Sequence, residues 1–142
     1  MVSWQTKALN RVLHLTIKKL MSTGGSVEET RRFIEAKGPP RVPPGVEITP
    51  VKAQAFRGEW IRTPESSDAR TLLYLPGGGF MLPASAQVPL LVANINREAG
   101  SRAMLVHYRL APEHPFPAGL ADCLAAYRHL LDLGTDPKSI VI

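Results

Sequence analysis

Three consecutive glycines, Gly77, Gly78 and Gly79, follow directly on an apolar stretch, with Pro76 before them and Phe80 after. Without Cβ atoms, such a run lets the main chain approach a guest closely and turn its N–H groups inward. Clustered N–H donors suit a phosphate, a dinucleotide or the developing oxyanion of a tetrahedral intermediate. A phosphate loop needs Gly-Lys-Ser/Thr after the glycines, whereas this chain continues Phe80-Met81-Leu82. The G-x-G-x-x-G spacing of a dinucleotide site is also missing. An oxyanion hole is the better chemical fit, each donor of such a hole being worth ~3 kcal/mol in other enzymes. A tight turn without a guest is the competing reading of the glycines taken alone.

A second segment, Tyr108-Arg109-Leu110-Ala111-Pro112-Glu113-His114-Pro115-Phe116-Pro117-Ala118, carries three prolines that restrict its backbone. Arg109 and Glu113 can pair with each other or bond loop carbonyls and so hold it rigid. His114 has the side chain of a general base.

This segment lies about thirty residues after the glycines. Together they resemble the hormone-sensitive-lipase-like (bacterial family IV) esterases, whose pattern runs strand, HGGGF, helix, strand, YRLAPEHPFPA, helix, strand, GDSAGG. Asp136-Pro137 and a strand from Ser139 match the approach to the nucleophile. The likeness covers roughly residues 70–142, and the N-terminal region matches the family's cap more loosely. It implies the N-terminal part of an α/β-hydrolase fold, a central, mostly parallel sheet flanked by helices and preceded by a small helical cap segment. It also implies a serine carboxylesterase or lipase working through an acyl-enzyme on a small acyl ester, with no cofactor and no metal. By the family's pattern the N–H groups of Gly78 and Gly79 point at the oxyanion, and Gly77 and Phe80 border the substrate. Tyr108, Arg109, Glu113 and His114 form a structural loop in which His114 is a buttress, since the family's catalytic His lies near the C-terminus.

Two positions depart from that pattern. Pro76 stands where the family has a His that helps hold the glycine loop, and it brings neither a side-chain hydrogen bond nor an N–H. His107 stands where relatives usually carry an acid. The nucleophile elbow, Gly-x-Ser-x-Gly, is expected after the strand that begins at Ser139, followed by the acid and then the His. None of the serines here lies in that motif. The chain therefore reads as a first half whose sheet is truncated before the triad, expected to hydrolyse little or nothing alone. A non-catalytic relative that binds a ligand is the alternative, and Pro76 is the feature that leans toward it.

The elements that position these segments follow from periodicity and punctuation. Residues 4–21 predict an amphipathic helix, with Leu9, Val12, Leu13, Ile17 and Leu20 on one face and Lys7, Arg11, His14 and Lys18 on the other. Trp4 and Leu13 could border an acyl pocket or pack within a cap. A second helix starts at the capping box Ser26/Glu29 and ends at Gly38, before Pro39-Pro40. Residues 1–45 are thus expected to form a helical cap segment and linker, and 46–142 the first half of the core. Strands are predicted over 46–51 and 53–61, with Gly58 marking a bulge, then a polar turn over 63–70 and a buried strand over 71–75. Helices over 85–99 and 118–133 flank a strand over 103–108. Leu120, Leu124, Tyr127, Leu130 and Leu131 form the apolar stripe of the last helix, and Ser85 reads as a cap.

The totals exclude other classes. The net charge is +5, but the basic residues are spread along the chain, which argues against a nucleic-acid partner. A small basic binding module would rest on the face over 7–18 alone. No 18-residue apolar run appears, so no integral membrane association is expected. Charges interrupt any N-terminal signal segment, which suggests a cytoplasmic protein. Cys123 is the sole cysteine, so no intramolecular disulfide can form, and its neighbours mark it as an inert helix residue. Oligomeric state and acyl-chain preference are not encoded in any motif.

Overall fold

The computed structural model describes residues 26–36, 38 and 42–142, together with 3, 4, 6, 7, 10 and 11 near the N-terminus. The basic-faced helix expected over 4–21 lies mostly outside the described residues. Helix α1 spans Val27–Glu35. The predicted box closes it: the Glu29 N–H donates to Ser26 Oγ (3.2 Å) and the Ser26 N–H to Glu29 Oε2 (3.0 Å). Gly38, at φ 67°, stands just beyond its end, where a left-handed residue is easiest for glycine.

Five strands form one sheet: β1 (Glu47–Pro50), β2 (Gly58–Arg62), β3 (Ser67–Tyr74), β4 (Ser101–Val106) and β5 (Ile140–Val141). Their spatial order is β1-β2-β4-β3-β5. The first two pairings, β1 with β2 and β2 with β4, are antiparallel, whereas β3 runs parallel to both β4 and β5. Parallel neighbours require crossovers. Helix α2 (Val88–Ala99) joins β3 to β4, and α3 (Ala118–Asp132) joins β4 to β5.

Strand β4 organises the core. Ala103, Met104, Leu105 and Val106 are all inaccessible to solvent. Because successive side chains alternate, Met104 and Val106 join Leu73, Ala126 and Leu130 beneath α3. Ala103 and Leu105 join Ile61, Val92 and Ala93 beneath α2. A strand clad on both faces reads as a continuous apolar run, as this one does.

Glycines punctuate the helix ends. Gly100 (φ 60°) closes α2. After α3, the Gly134 N–H reaches the Leu131 carbonyl (2.9 Å) and the Thr135 N–H the Leu130 carbonyl (3.1 Å), the paired bonds of a Schellman motif. Buried Asn96 ties α2 to the sheet, donating to the Ile61 carbonyl (2.8 Å) and accepting from Ser101 Oγ (3.1 Å).

Several details differ from the sequence reading, beginning with β2, which starts at Gly58 instead of 53, and β4, which runs over Ser101–Val106 instead of 103–108. Strand β3 begins at Ser67, inside the expected polar turn, and its first four residues are exposed. Its irregularity lies between Ser67 and Thr71, whereas Gly58 is the regular first residue of β2. The glycine is needed there for space, since a Cβ would come within 2.9 Å of the Leu105 carbonyl oxygen and 3.2 Å of the Phe56 ring. The residue before α2 is Gln87 rather than Ser85, without a side-chain cap. Finally, α3 buries Gly119, Asp122, Ala126 and Leu130, leaving Leu120 and Leu124 about half exposed.

Gly58→Ala should therefore cost about 1–3 kcal/mol, the usual penalty of overpacking. Urea unfolding measures it, and an unchanged midpoint would refute this account of Gly58.

Candidate functional site

The glycine run leaves the end of β3 and turns at once. Gly78 has φ 155°, Gly79 φ 61° and Phe80 φ 60°. The Gly78 carbonyl accepts from the N–H groups of Met81 (3.2 Å) and Leu82 (2.9 Å), closing the turn. A Cβ at Gly78 would collide with the Leu82 carbonyl oxygen, so only glycine fits. Phe80 is the one non-glycine at positive φ among the described residues. That conformation costs an L-residue roughly 1–2 kcal/mol, and such strain persists only where the surroundings impose it.

The surroundings impose it through three carbonyls. Tyr108 Oη donates to the Pro76 carbonyl (2.5 Å), the Ala111 N–H to the Phe80 carbonyl (2.9 Å) and Arg31 Nε to the Met81 carbonyl (2.8 Å). Among the described residues, the N–H groups of Gly77, Gly78, Gly79 and Phe80 meet no protein acceptor. The four residues border a cavity of about 670 Å³ whose other walls, including Leu75, Phe116, Leu120 and Cys123, are almost wholly apolar. Unspent donors against an apolar space can bind one small anionic or carbonyl oxygen.

The second segment holds this wall from outside. Arg109 and Glu113 were expected to pair or to bond loop carbonyls, and they do neither. Arg109 turns to Asp122 on α3, giving the carboxylate its N–H (2.8 Å), Nε (3.0 Å) and Nη2 (2.7 Å). Burial alone would push the Asp122 carboxyl up, but the hydrogen bonds from Arg109 outweigh it and hold it below the ordinary range. Glu113 pairs with Arg31 on α1, a bond that keeps its own carboxyl low. Gly119 allows the close approach, since a Cβ there would stand 3.0 Å from the Arg109 carbonyl oxygen.

The other singled-out residues fall as follows. His114 borders the cavity but is exposed, and its hydrogen bond is made by its N–H to the Leu110 carbonyl (2.9 Å). His107 faces Glu59 on β2 at 3.3 Å, which supplies an acidic neighbour on the adjacent strand. His129 meets the Phe56 ring edge-on. Burial, then the Asp122 charge, push the Cys123 thiol up, which suits an inert residue. Trp4 is 75% exposed and does not border the cavity, and Leu13 lies outside the described residues.

Arg31 and Asp122 were not singled out from sequence. Asp122 gave a usable sign, being a lone acid on the buried face of an apolar helix. Arg31, one of several charges in α1, gave none.

A family model described as alpha/beta hydrolase fold matches residues 72–142. The chain belongs to that family. It is 40% identical to an acetyl-hydrolase of Streptomyces hygroscopicus over 83% of its own length and 40% of the relative's. It is 30% identical to a carboxylesterase/phospholipase, LipF, of Mycobacterium tuberculosis over 90% of its length and 36% of the relative's. A solved esterase of the bacterial hormone-sensitive lipase family superposes with a TM-score of 0.76 at 30% identity, covering 99% of this chain and 47% of that one. EstE5, soaked with p-nitrophenyl butyrate, gives 0.73 at 31%, covering 89% and 45%. Within the family its place is among the hormone-sensitive-lipase-like proteins, and it spans less than half the length of each of these four.

Asp122→Ala should lower stability at pH 7 by about 1.5–3 kcal/mol through loss of charge-assisted bonds. The folded carboxyl is depressed, so its contribution is full above the unfolded pKa of about 4 and fades as pH falls below it. Urea midpoints from pH 7 to pH 2.5 should show the gap between the two proteins closing. A constant gap would place the effect elsewhere.

Proposed function

We propose that the glycine loop is the oxyanion-binding wall of a serine carboxylic ester hydrolase. The observation that carries this reading is the set of N–H groups, Gly77 to Phe80, that meet no acceptor among the described residues and border an apolar cavity. A planar ester carbonyl seated in that cavity becomes a tetrahedral alkoxide when a serine oxygen attacks it. Gly78 and Gly79 donate to the alkoxide through fixed backbone dipoles, which need no reorganisation as charge develops. Apolar walls take the acyl chain, and Gly77 and Phe80 border it. No cofactor enters this chemistry.

No Gly-x-Ser-x-Gly motif, the usual setting of the nucleophile of a triad, occurs among these 142 residues. In this reading the triad belongs to sequence following β5, as Ser, acid and His in that order, with the third oxyanion donor next to the serine. In the same reading residues 1–45 are the cap segment and linker, and 46–142 the first half of the core. The esterase and lipase names of the relatives support the reaction class.

The test is to read the coding sequence past Ile142 and assay both forms with p-nitrophenyl butyrate. The 142-residue chain is expected to show no turnover. The form extended through a Gly-x-Ser-x-Gly elbow is expected to turn over and to be stopped by a serine-directed phosphonate. In that form Gly78→Ala keeps its N–H, but its Cβ would meet the Leu82 carbonyl oxygen; displacing the donors in this way should lower kcat about 100- to 1,000-fold, as much as losing one of them. An extended form that carries the serine yet hydrolyses nothing would sink the proposal. Buried Pro76, in place of the family's His, favours one alternative, a ligand-binding relative. That reading predicts saturable ester binding without turnover.

A further inference from the structure

Arg31 sits where α1, the glycine loop and the proline loop meet. No residue of α1 is fully buried, so apolar packing alone holds the helix weakly. Val27, Thr30, Arg31 and Ile34 make its half-buried face. The Arg31 side chain is only 17% exposed. Its fork makes four bonds: Nε to the Met81 carbonyl (2.8 Å), Nη2 to the Ala111 carbonyl (2.6 Å), and Nη1 and Nη2 to the two Glu113 oxygens (2.6 and 3.0 Å). The Ala111 N–H in turn holds the Phe80 carbonyl (2.9 Å). Both sides of Ala111 are thus in use, one on the glycine loop and one on Arg31. A planar guanidinium can serve three acceptors in fixed directions, which a lysine cannot do.

We propose that Arg31 is a positioning residue that couples the placement of α1 to the geometry of the Gly77–Phe80 donors, by clasping Met81, Ala111 and Glu113 at once. With the clasp closed, the Met81 carbonyl is pinned on the far side of Phe80 from the Tyr108–Pro76 bond. The strained turn is then held at both ends. With it open, α1 loses its anchor and the turn can relax from the left-handed conformation at Phe80. The catalytic consequence rests on the hydrolase reading above, while the structural coupling does not.

Hydrogen exchange on the 142-residue chain tests the coupling. In Arg31→Ala, amides of residues 76–84 and 109–118 are expected to exchange about tenfold faster, while those of β4 keep their rates. Arg31→Lys, which keeps the charge but not the fork, should fall between. Unchanged loop rates, or an equal rise in β4, would overturn the proposal. Glu113→Gln keeps the bonds from Arg31 to both carbonyls and serves should Arg31→Ala not fold. It should speed exchange in 109–118 more than in 76–84, and no change in either would count against the clasp. In the extended, active form, Arg31→Ala should lower kcat roughly 10- to 100-fold with KM little changed, because the donors rather than the pocket are displaced. A change confined to KM would overturn the catalytic part. If the extended wild type hydrolyses nothing, the hydrolase reading fails while the exchange result still decides the coupling.

Discussion

A backbone loop of three glycines cannot hold its own shape, because it has no side chains to pack. Beyond the turn that Gly78 closes with Met81 and Leu82, its form is imposed through the handles that flank it, carbonyl oxygens. That constraint governs the molecule around it. The carbonyls of Pro76, Phe80 and Met81 are taken by a phenol and an amide from one loop and a guanidinium from α1. The N–H groups between them stay unspent, and unspent donors beside an apolar cavity are what a binding site for one oxygen requires.

Each of those handles leads back to the core. Tyr108 and Ala111 follow β4, the strand clad on both faces, so their starting point is the most buried part of the protein. Arg109, between them, is tied to Asp122, and this fixes the rotation of α3 as well as the course of the loop. Gly119 brings helix and loop close enough for that bond. The same rotation turns Leu120 toward the cavity instead of the core. The ion pair thereby helps to set which apolar side chains of α3 face the core and which border the cavity. Arg31 adds the only one of the three handles that does not come from this segment.

Much of this could be read from the sequence, where the signal was local. The Ser26/Glu29 box, Gly38 at the end of α1, and the β3–α2–β4–α3–β5 order all depend on residues a few positions apart. The rotation of α3 was misread because leucine spacing outvoted a lone aspartate, although a charge can occupy a buried face once it has a partner. Gly58 was misread because space and backbone freedom are both reasons for glycine, and only the neighbouring strand distinguishes them. The clasp at Arg31 was illegible, since its partners lie 50 to 82 residues away and each is either a carbonyl or one acid among many.

The unspent donors belong to the main chain, and that sets how such a site can drift. No substitution short of proline deletes a peptide N–H, so the donors themselves resist loss in a way that a catalytic side chain does not. What substitution can do is add atoms, and at Gly78 the first atom added has nowhere to go. Neighbouring side chains are freer, and Pro76 is a case, offering a carbonyl that Tyr108 holds as firmly as it would hold any other residue's. The turn is therefore lopsided: an added atom is excluded at Gly78, whereas Pro76 brings a different side chain to the flank and still offers the carbonyl that Tyr108 holds.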